Sequence, residues 1–460
     1  MNESFTERRL KKPADELAST MHSCSLMTKI VAFVSALLYI GSLSSAAHAE
    51  SYARQAAALR ALPAASAKVV DRVDANQSVQ VEESKNGWVR VRMGVDVRGW
   101  LASDVVSDTW IKVWKREHKL FLMKGDVVER TFRVALGSQN PVGQKVKRGD
   151  GATPEGRFFV AELDDSPESG RYGARSMRLS YPSVDDARRG LHDHLIDKST
   201  YLSIVRAVRA GEVPPQHTAL GGSIRIHGGG SSHDWTLGCI ALDDEDVIAL
   251  FARAGEGTRV DVFASAEDEA RLGKADFAAS MVLAAAKEQT LKPALYTTAA
   301  MKVIPMDFPA GDISAEQAVC TDIVVRALRA AGIDLQALVF EDRTLHPERY
   351  PGKREAPRPS IDHRRVGNLV ALFRRLAATG AVGTQEGLAP GDVVVFDTGI
   401  ANGSPFDHIG IVDNVKADDG NLRAINIWTV GRRTSSMALI GQSYPTVAAW
   451  FRVGHPYAYH

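Results

Sequence analysis

Cysteine is scarce in this chain: Cys24, Cys239 and Cys320 are the three in 460 residues. Three cannot build the framework of a small disulfide-stapled fold. Cys239 and Cys320 lie in separate motifs, and a disulfide between them is the alternative to two separately used thiols. An excess of either charge is also missing. Lys and Arg number 56 against 55 Asp and Glu, a net charge of +1, and no basic tract is interleaved with aromatics. That excludes the electrostatic footprint of a nucleic-acid binder. There is no internal repeat and no low-complexity tract. Beyond the first fifty residues no apolar run reaches the about 20 residues a membrane helix needs. What is left is globular composition, 45% hydrophobic and 24% charged, with room for roughly two to four domains at about 100–200 residues each.

Residues 1–49 read as an export signal. Met27-Thr28-Lys29 precedes an apolar run over residues 30–43, and Ala47-His48-Ala49 is an A-x-A cleavage pattern. The leading basic region, with Arg8, Arg9, Lys11 and Lys12, is long. Either translation starts at Met21 or Met27, or the segment stays as an anchor. Cleavage is the expectation. It delivers the chain to the periplasm with no stable membrane span.

Residues 52–107 alternate short β-prone runs with turns at Asp74-Ala75-Asn76, Asn86-Gly87 and Met93-Gly94. The strings Lys85-Asn86-Gly87-Trp88-Val89-Arg90-Val91 and Gly99-Trp100-Leu101 resemble a bacterial Src-homology-3-type barrel. The resemblance implies a module that binds cell-wall material, while Trp88 and Trp100 themselves read as core.

Residues 110–264 carry the densest chemistry. Residues 110–113, 120–123 and 127–134 read as paired strands with a hairpin turn at Lys124-Gly125-Asp126, and residues 258–263 as a closing strand. His227 ends a short β-like run and is followed by Gly228-Gly229-Gly230, and Cys239 follows Gly238. A thiol needs a base to become a nucleophile, and an oxyanion needs backbone N–H donors from a tight turn. His227 suits the base, Cys239 the nucleophile, and the Gly238 and Cys239 amides the donors. Asp243-Asp244-Glu245-Asp246 reads as the acidic first turn of a helix. His227, His233 and Cys239 are zinc-ligand types without a fourth position, and His192-Asp193-His194 reads as a solvated loop. No metal and no cofactor is expected.

The string His227-Gly228, then Thr236-Leu237-Gly238-Cys239-Ile240-Ala241-Leu242, resembles the L,D-transpeptidase family. Gly149-Asp150-Gly151-Ala152-Thr153-Pro154-Glu155-Gly156 resembles that family's G-D-x-x-T-P-E-G turn. The resemblance implies a β-rich sandwich domain and cysteine chemistry on peptidoglycan stem peptides. It adds Gly228, Tyr172, Trp235 and Thr236 as substrate-binding candidates, and Arg171 and Tyr181 as weaker ones. It also implies that the helical, charged insertion over residues 183–220 helps to form the cleft. Ala241 stands where most transpeptidases carry arginine. The variant D-W-T-x-G-C-I-A-L resembles a branch with hydrolytic members that release lipoprotein from peptidoglycan, so the acceptor is open between an amine and water.

Residues 265–293 read as an Ala-rich helical linker. Beyond them Cys320 opens a helix with Ile323, Val324, Ala327, Leu328 and Ala331 apolar and Gly332 as its stop. A thiol at a helix N-terminus sees the positive end of the dipole, which lowers its pKa. His408 begins a strand-like run, and Ile425-Asn426-Ile427 forms another. Cysteine on a leading helix with histidine and a polar orienter on adjacent strands is a nucleophile, base and orienter. The run over residues 319–336, with Ile361-Asp362-His363-Arg364-Arg365-Val366, Pro390-Gly391-Asp392 and His408-Ile409-Gly410-Ile411-Val412, resembles an uncharacterised domain family of the NlpC-type papain-like cysteine peptidase superfamily. This implies Cys320 as nucleophile, His408 as base and Asn426 as orienter over residues 294–460. His363 is a rival base, and Asp392 and Asp413 are rival orienters.

The expected architecture is multidomain: a small all-β barrel, an L,D-transpeptidase-like sandwich and a C-terminal α+β papain-like domain. The expected function is peptidoglycan remodelling at two cysteine sites, with stem peptides and peptidoglycan-linked lipoprotein as partners. The alternatives are a wall-binding scaffold with inactive domains and a secreted wall-degrading effector.

Overall fold

A computed structural model describes residues 51–454 except 168–170, 274–276, 353–354 and 402. The expected export segment lies outside the described residues. The described residues fall within one contact unit, Ala49–His460.

Three sheets follow one another along the chain. The first has seven strands in the order Val69–Val73, Ala57–Arg60, Val97–Ala102, Trp88–Met93, Ser78–Lys85, Ser51–Ala53 and Val106–Ser107. It encloses Leu59, Val73, Val91, Met93 and Leu101. Trp100 is buried, as a core residue should be, whereas Trp88 is only half-buried and lies outside that core.

The second sheet has eight strands: Val127–Arg133, Lys119–Lys124, Thr109–Trp114, Arg259–Phe263, Gly156–Asp164, Ser176–Leu179, Arg225–His227 and Ile240–Ala241. The hairpin turn at Lys124-Gly125-Asp126 is present. The strand Arg259–Phe263 closes the segment in sequence but sits in the middle of the sheet, parallel to Thr109–Trp114. Gly156–Asp164 joins the two halves and shifts register between Val160 and Glu162. Such an irregularity bends a sheet. Phe158, Val160, Met177, Ile226, Ile240 and Val260 fill the core beneath.

The insertion forms two helices, Val184–His192 and Lys198–Ala210. Ser183 and Asp186 cap the first reciprocally, and Asp197 caps the second through the Thr200 N–H. These helices brace the neighbouring parts, and the insertion reaches the cleft through Gln216 and His217 beyond them. Arg188 donates to both Glu341 carboxylate oxygens at 2.7 and 2.6 Å, Tyr201 donates to Glu341 at 2.6 Å, and the Ala75 N–H reaches Arg209 O.

The third sheet has six strands: Thr379–Val382, Thr446–Arg452, Val393–Asp397, His408–Lys416, Leu422–Asn426 and Ser435–Met437. The helices Cys320–Ala330 and Val366–Leu376 share its core. The helix Phe277–Leu291, expected as a linker, buries Ala278, Val282 and Ala286 in that same core. Arg349 to Asp71 at 2.8 Å and His346 to Asp74 at 3.0 Å fasten this part to the barrel.

Candidate active sites

Strand pairing builds the first site. Arg225–His227 and Ile240–Ala241 run parallel, with Ile226 opposite Ile240 and His227 opposite Ala241. Side chains alternate along strands, so Arg225 and His227 share a face, and Cys239 flanks Ile240 on the matching face. His227 and Cys239 line one cavity of about 480 Å³. Ala241 is fully buried opposite His227, and its backbone pairs with Ala135.

The imidazole is held by its backbone and by aromatic rings. Nδ1 lies 2.6 Å from Gly228 O. A carbonyl only accepts, so Nδ1 carries the hydrogen and Nε2 keeps its lone pair. Tyr172 and Trp235 meet the ring edge-on at centroid distances of 5.1 and 5.5 Å. Burial holds His227 below its ordinary pKa. The Cys239 thiol donates to Ser223 O at 3.7 Å. Enclosure raises its pKa, while Arg225, Arg171 and Lys145 pull it back. The resting pair is a neutral thiol beside a neutral imidazole. Both Cys239 and Cys320 are free cysteines, which removes the disulfide alternative.

Tyr172, Trp235 and Thr236 line the cavity, as do Arg171 and the returning loop at Gln216, His217, Gly221 and Gly222. Gly228 does not line it. A Cβ there would meet Asp244 Oδ1 at 2.1 Å, so the glycine serves close approach. Gly238 also departs from expectation. Its N–H donates to Thr236 Oγ1 at 3.2 Å, and Thr236 Oγ1 donates to Cys239 O at 2.8 Å. In this arrangement the Gly238 amide locks the turn instead of facing the cavity. Tyr181 is buried, donates to Leu220 O and does not line the cavity.

Several positioning residues escaped sequence reasoning. Asp244 Oδ1 accepts from the Ala174 and Gly229 N–H groups at 2.8 and 3.0 Å, and Asp243 accepts from Ser231 N and Oγ. These acids pin the glycine loop as well as beginning the helix Asp244–Phe251. Asp234 accepts from the Leu136 N–H at 2.7 Å and pairs with His118 at 2.9 Å, which fixes the approach to Trp235. Lys115 is fully buried and donates to Gly143 O, Thr153 O and Glu155, which anchors the T-P-E-G turn.

The second site gathers Cys320, His408 and Asn426. Cys320 starts its helix and shares a core with Ile409, the residue after His408. His408 Nε2 lies 3.2 Å from Asn426 Oδ1, and Asn426 Nδ2 donates to Ala424 O. Trp428 meets the imidazole edge-on at 4.6 Å. The helix position was expected to lower the thiol pKa. Instead burial, with the Asp322 charge, pushes Cys320 up to about 12, and burial lowers His408 to about 4. Removal from water outweighs the dipole here. A cavity of about 310 Å³ opens at Cys320, lined by Tyr296, Met301, Ile361, Arg364, Phe406 and Asp407.

His363, like His408, is buried outside the lining of that cavity and held down to about 4 by burial. The two rival orienters are occupied elsewhere. Asp392 pairs with Arg452 at 2.8 Å. Asp413 accepts from Ser436 at 2.5 Å. Arg364, next to His363, is paired with Asp322 at 2.7 and 2.9 Å and donates to Ala300 O.

Comparison with known proteins matches three parts of the chain. Residues 55–107 match a bacterial SH3 domain, residues 108–262 an L,D-transpeptidase catalytic domain, and residues 283–451 a domain of unknown function, DUF1287. An uncharacterized protein of Escherichia coli (strain K12), YijF, is 35% identical over 157 residues, covering 33% of this chain and 69% of YijF. Among solved structures, an L,D-transpeptidase from Xylanimonas cellulosilytica is 14% identical, covering 34% of this chain and 61% of its own, with a TM-score of 0.21. The helical cell shape determining protein Pgp2 from Campylobacter jejuni is 12% identical, covering 72% of this chain and 90% of its own, with a TM-score of 0.26.

Proposed function

Since residues 108–262 match the L,D-transpeptidase catalytic domain family, with a bacterial SH3 domain before them and a DUF1287 domain after them, we propose an exported peptidoglycan-remodelling enzyme with two cysteine sites. The parts run over residues 52–107, 110–264 and 294–460. The observation that carries the reading is the meeting of His227 and Cys239 in one cavity, with Nδ1 committed to Gly228 O. That leaves Nε2 to take the thiol proton.

In the proposed reaction the thiolate attacks a stem-peptide carbonyl, and a C–S bond forms. The oxyanion is held by the Cys239 amide. The C–N bond breaks as His227 returns the proton to the leaving amine, which leaves a thioester on Cys239. His227 then deprotonates the acceptor, whose attack on the thioester releases the sulfur. An amine acceptor gives a cross-link; water gives a trimmed stem or a released lipoprotein. At the second site, Cys320 attacks a wall peptide or amide bond, His408 takes its proton, and Asn426 holds the ring. The barrel contributes binding to wall material. Export to the periplasm fits a wall substrate, and among the described residues no helix is long and apolar enough to cross a membrane.

Purified peptidoglycan incubated with wild type, Cys239→Ala and Cys320→Ala tests the proposal by mass spectrometry of the products. Two product classes are expected, each lost with one variant. Identical products from all three forms would sink both sites.

A further inference from the structure

A groove of about 760 Å³ separates the barrel from the third domain. Phe406 lines both this groove and the smaller cavity at Cys320, so the two adjoin at that ring. One wall of the groove is the barrel strand Val69–Val73. Val69, Val70, Asp71 and Arg72 all line it, although successive side chains of a strand point to opposite faces. It is therefore the edge of the strand that borders the groove. That edge is open: Val69–Val73 ends its sheet and pairs only with Ala57–Arg60 among the described residues. Val70 is the extra residue where that register shifts, and the extra residue of a bulge is left out of the ladder. The opposite wall is the helix Val366–Leu376. It lines the groove with Gly367, Val370, Ala371 and Arg374, a spacing that puts them on one helix face.

The two walls are fixed against each other. The Val95 N–H donates to Arg374 O at 2.9 Å, and Val95 packs against the core that contains Cys320. Arg349, Arg374 and Arg375 are matched by Asp71, Asp96 and Asp342, and Arg98 by Glu82. The remaining charges, Arg72 and Glu348, are exposed and of opposite sign. The groove therefore makes no demand for a charged ligand.

We infer that this groove holds an extended peptide, added as a further strand to the edge of Val69–Val73 and continuing past Phe406 into the Cys320 cavity. The barrel is then the outer wall of the third domain's substrate cleft. A strand edge offers N–H and C=O groups at the spacing of another peptide backbone, which a sugar chain does not match. Gly367 and Ala371 leave room for such a backbone on the helix side. The Arg72 carbonyl is already engaged by Arg349 at 2.7 Å. That contact and the bulge shorten the edge to a few residues, which suits a peptide and not a second sheet. The Cys320 cavity, about 310 Å³, is at the small end for a ligand site, so the rest of the chain needs the larger groove. The link to cleavage rests on Cys320 being the nucleophile; binding is tested without it.

The probes are peptides released from purified peptidoglycan and glycan strands freed of peptide, each added to full-length Cys320→Ala. The readout is amide hydrogen exchange over Val69–Val73. With peptide at about ten times its Kd, the covered amides should exchange about tenfold more slowly. Glycan should leave them unchanged. Ala371→Trp fills the helix side of the groove, lies outside the lining of the Cys320 cavity and should abolish the slowing. Gly367→Gln is the milder variant and should weaken it, since its Cβ would meet Pro351 Cγ at an ordinary 3.5 Å. Slowing by glycan alone, no slowing by peptide, or full slowing in both variants would overturn the inference. Slowing by peptide without Cys320-dependent cleavage in the wild-type chain would fault the nucleophile and leave the groove standing.

Discussion

Replacing Gly238 by alanine is expected to silence the Cys239 site while the rest of the chain stays folded. Gly238 has φ +126°, a backbone region that costs residues with a Cβ about 1–3 kcal/mol. The new Cβ would stand 2.6 Å from Ala152 O and 3.2 Å from Ile224 Cδ1. Ala152 cannot withdraw easily. It is fully buried, and the next residue is held through Thr153 Oγ1, which accepts from the Gly137 N–H, and Thr153 O, which accepts from Lys115. An ordinary C···O contact is about 3.3–3.6 Å, so the cysteine turn must yield by roughly 0.7–1 Å. A misplacement of about 1 Å costs on the order of 100-fold in rate. Cys239-dependent product formation should therefore fall about 100-fold, with a stability loss of about 1–3 kcal/mol by urea titration. The Cys320 core is built from separate residues, so its products should persist. A rate within threefold of wild type, or parallel loss of both product classes, would refute this account of the turn.

Two further predictions concern the third domain. Asn426→Ala removes the acceptor of His408, and Cys320-dependent turnover should fall about 10–100-fold in a Cys239→Ala background, as expected for a misoriented base; turnover within twofold of the parent would exclude Asn426 as orienter. Acid should destabilise the chain, because His363 and His408 are both held neutral down to about 4. Their contribution is complete above about pH 6.5, because there neither state binds the proton. It is lost as pH falls toward 4, because the unfolded chain protonates first. The loss is at most about 3 kcal/mol for each histidine. Urea midpoints should drop steeply across that interval and less so in His363→Gln; a flat profile would contradict the burial argument.

Local patterns made much of this molecule legible. The Cys320 helix announced itself by its apolar spacing and its glycine stop, and the hairpin at Lys124-Gly125-Asp126 by its turn residues. The two cysteine strings marked both sites. Features that depend on distant pairing were hidden. The strand Arg259–Phe263 gave its type but not its central place, which follows from parallel pairing with Thr109–Trp114, far away in sequence. The helix Phe277–Leu291 looked like a linker because small alanines, rather than a stripe of large residues, carry its buried contacts. Asp243 and Asp244 read as a helix start, which they are. Their grip on residues 174, 229 and 231 needed three loops in space. Gly238 looked like an oxyanion donor until the Thr236 hydroxyl was seen to accept from its N–H. The Cys320 pKa was misread because the helix dipole is visible in sequence and burial is not.

The most direct test of the account is to trap the intermediate. Full-length protein is mixed with a stem peptide, quenched in acid and analysed by intact mass spectrometry with peptide mapping. The account predicts a mass increase equal to the donor acyl group on the peptide containing Cys239. It should be present in Cys320→Ala, absent in Cys239→Ala and slow to form in His227→Gln. Turnover without any adduct at Cys239, or an adduct that survives unchanged in His227→Gln, would contradict it.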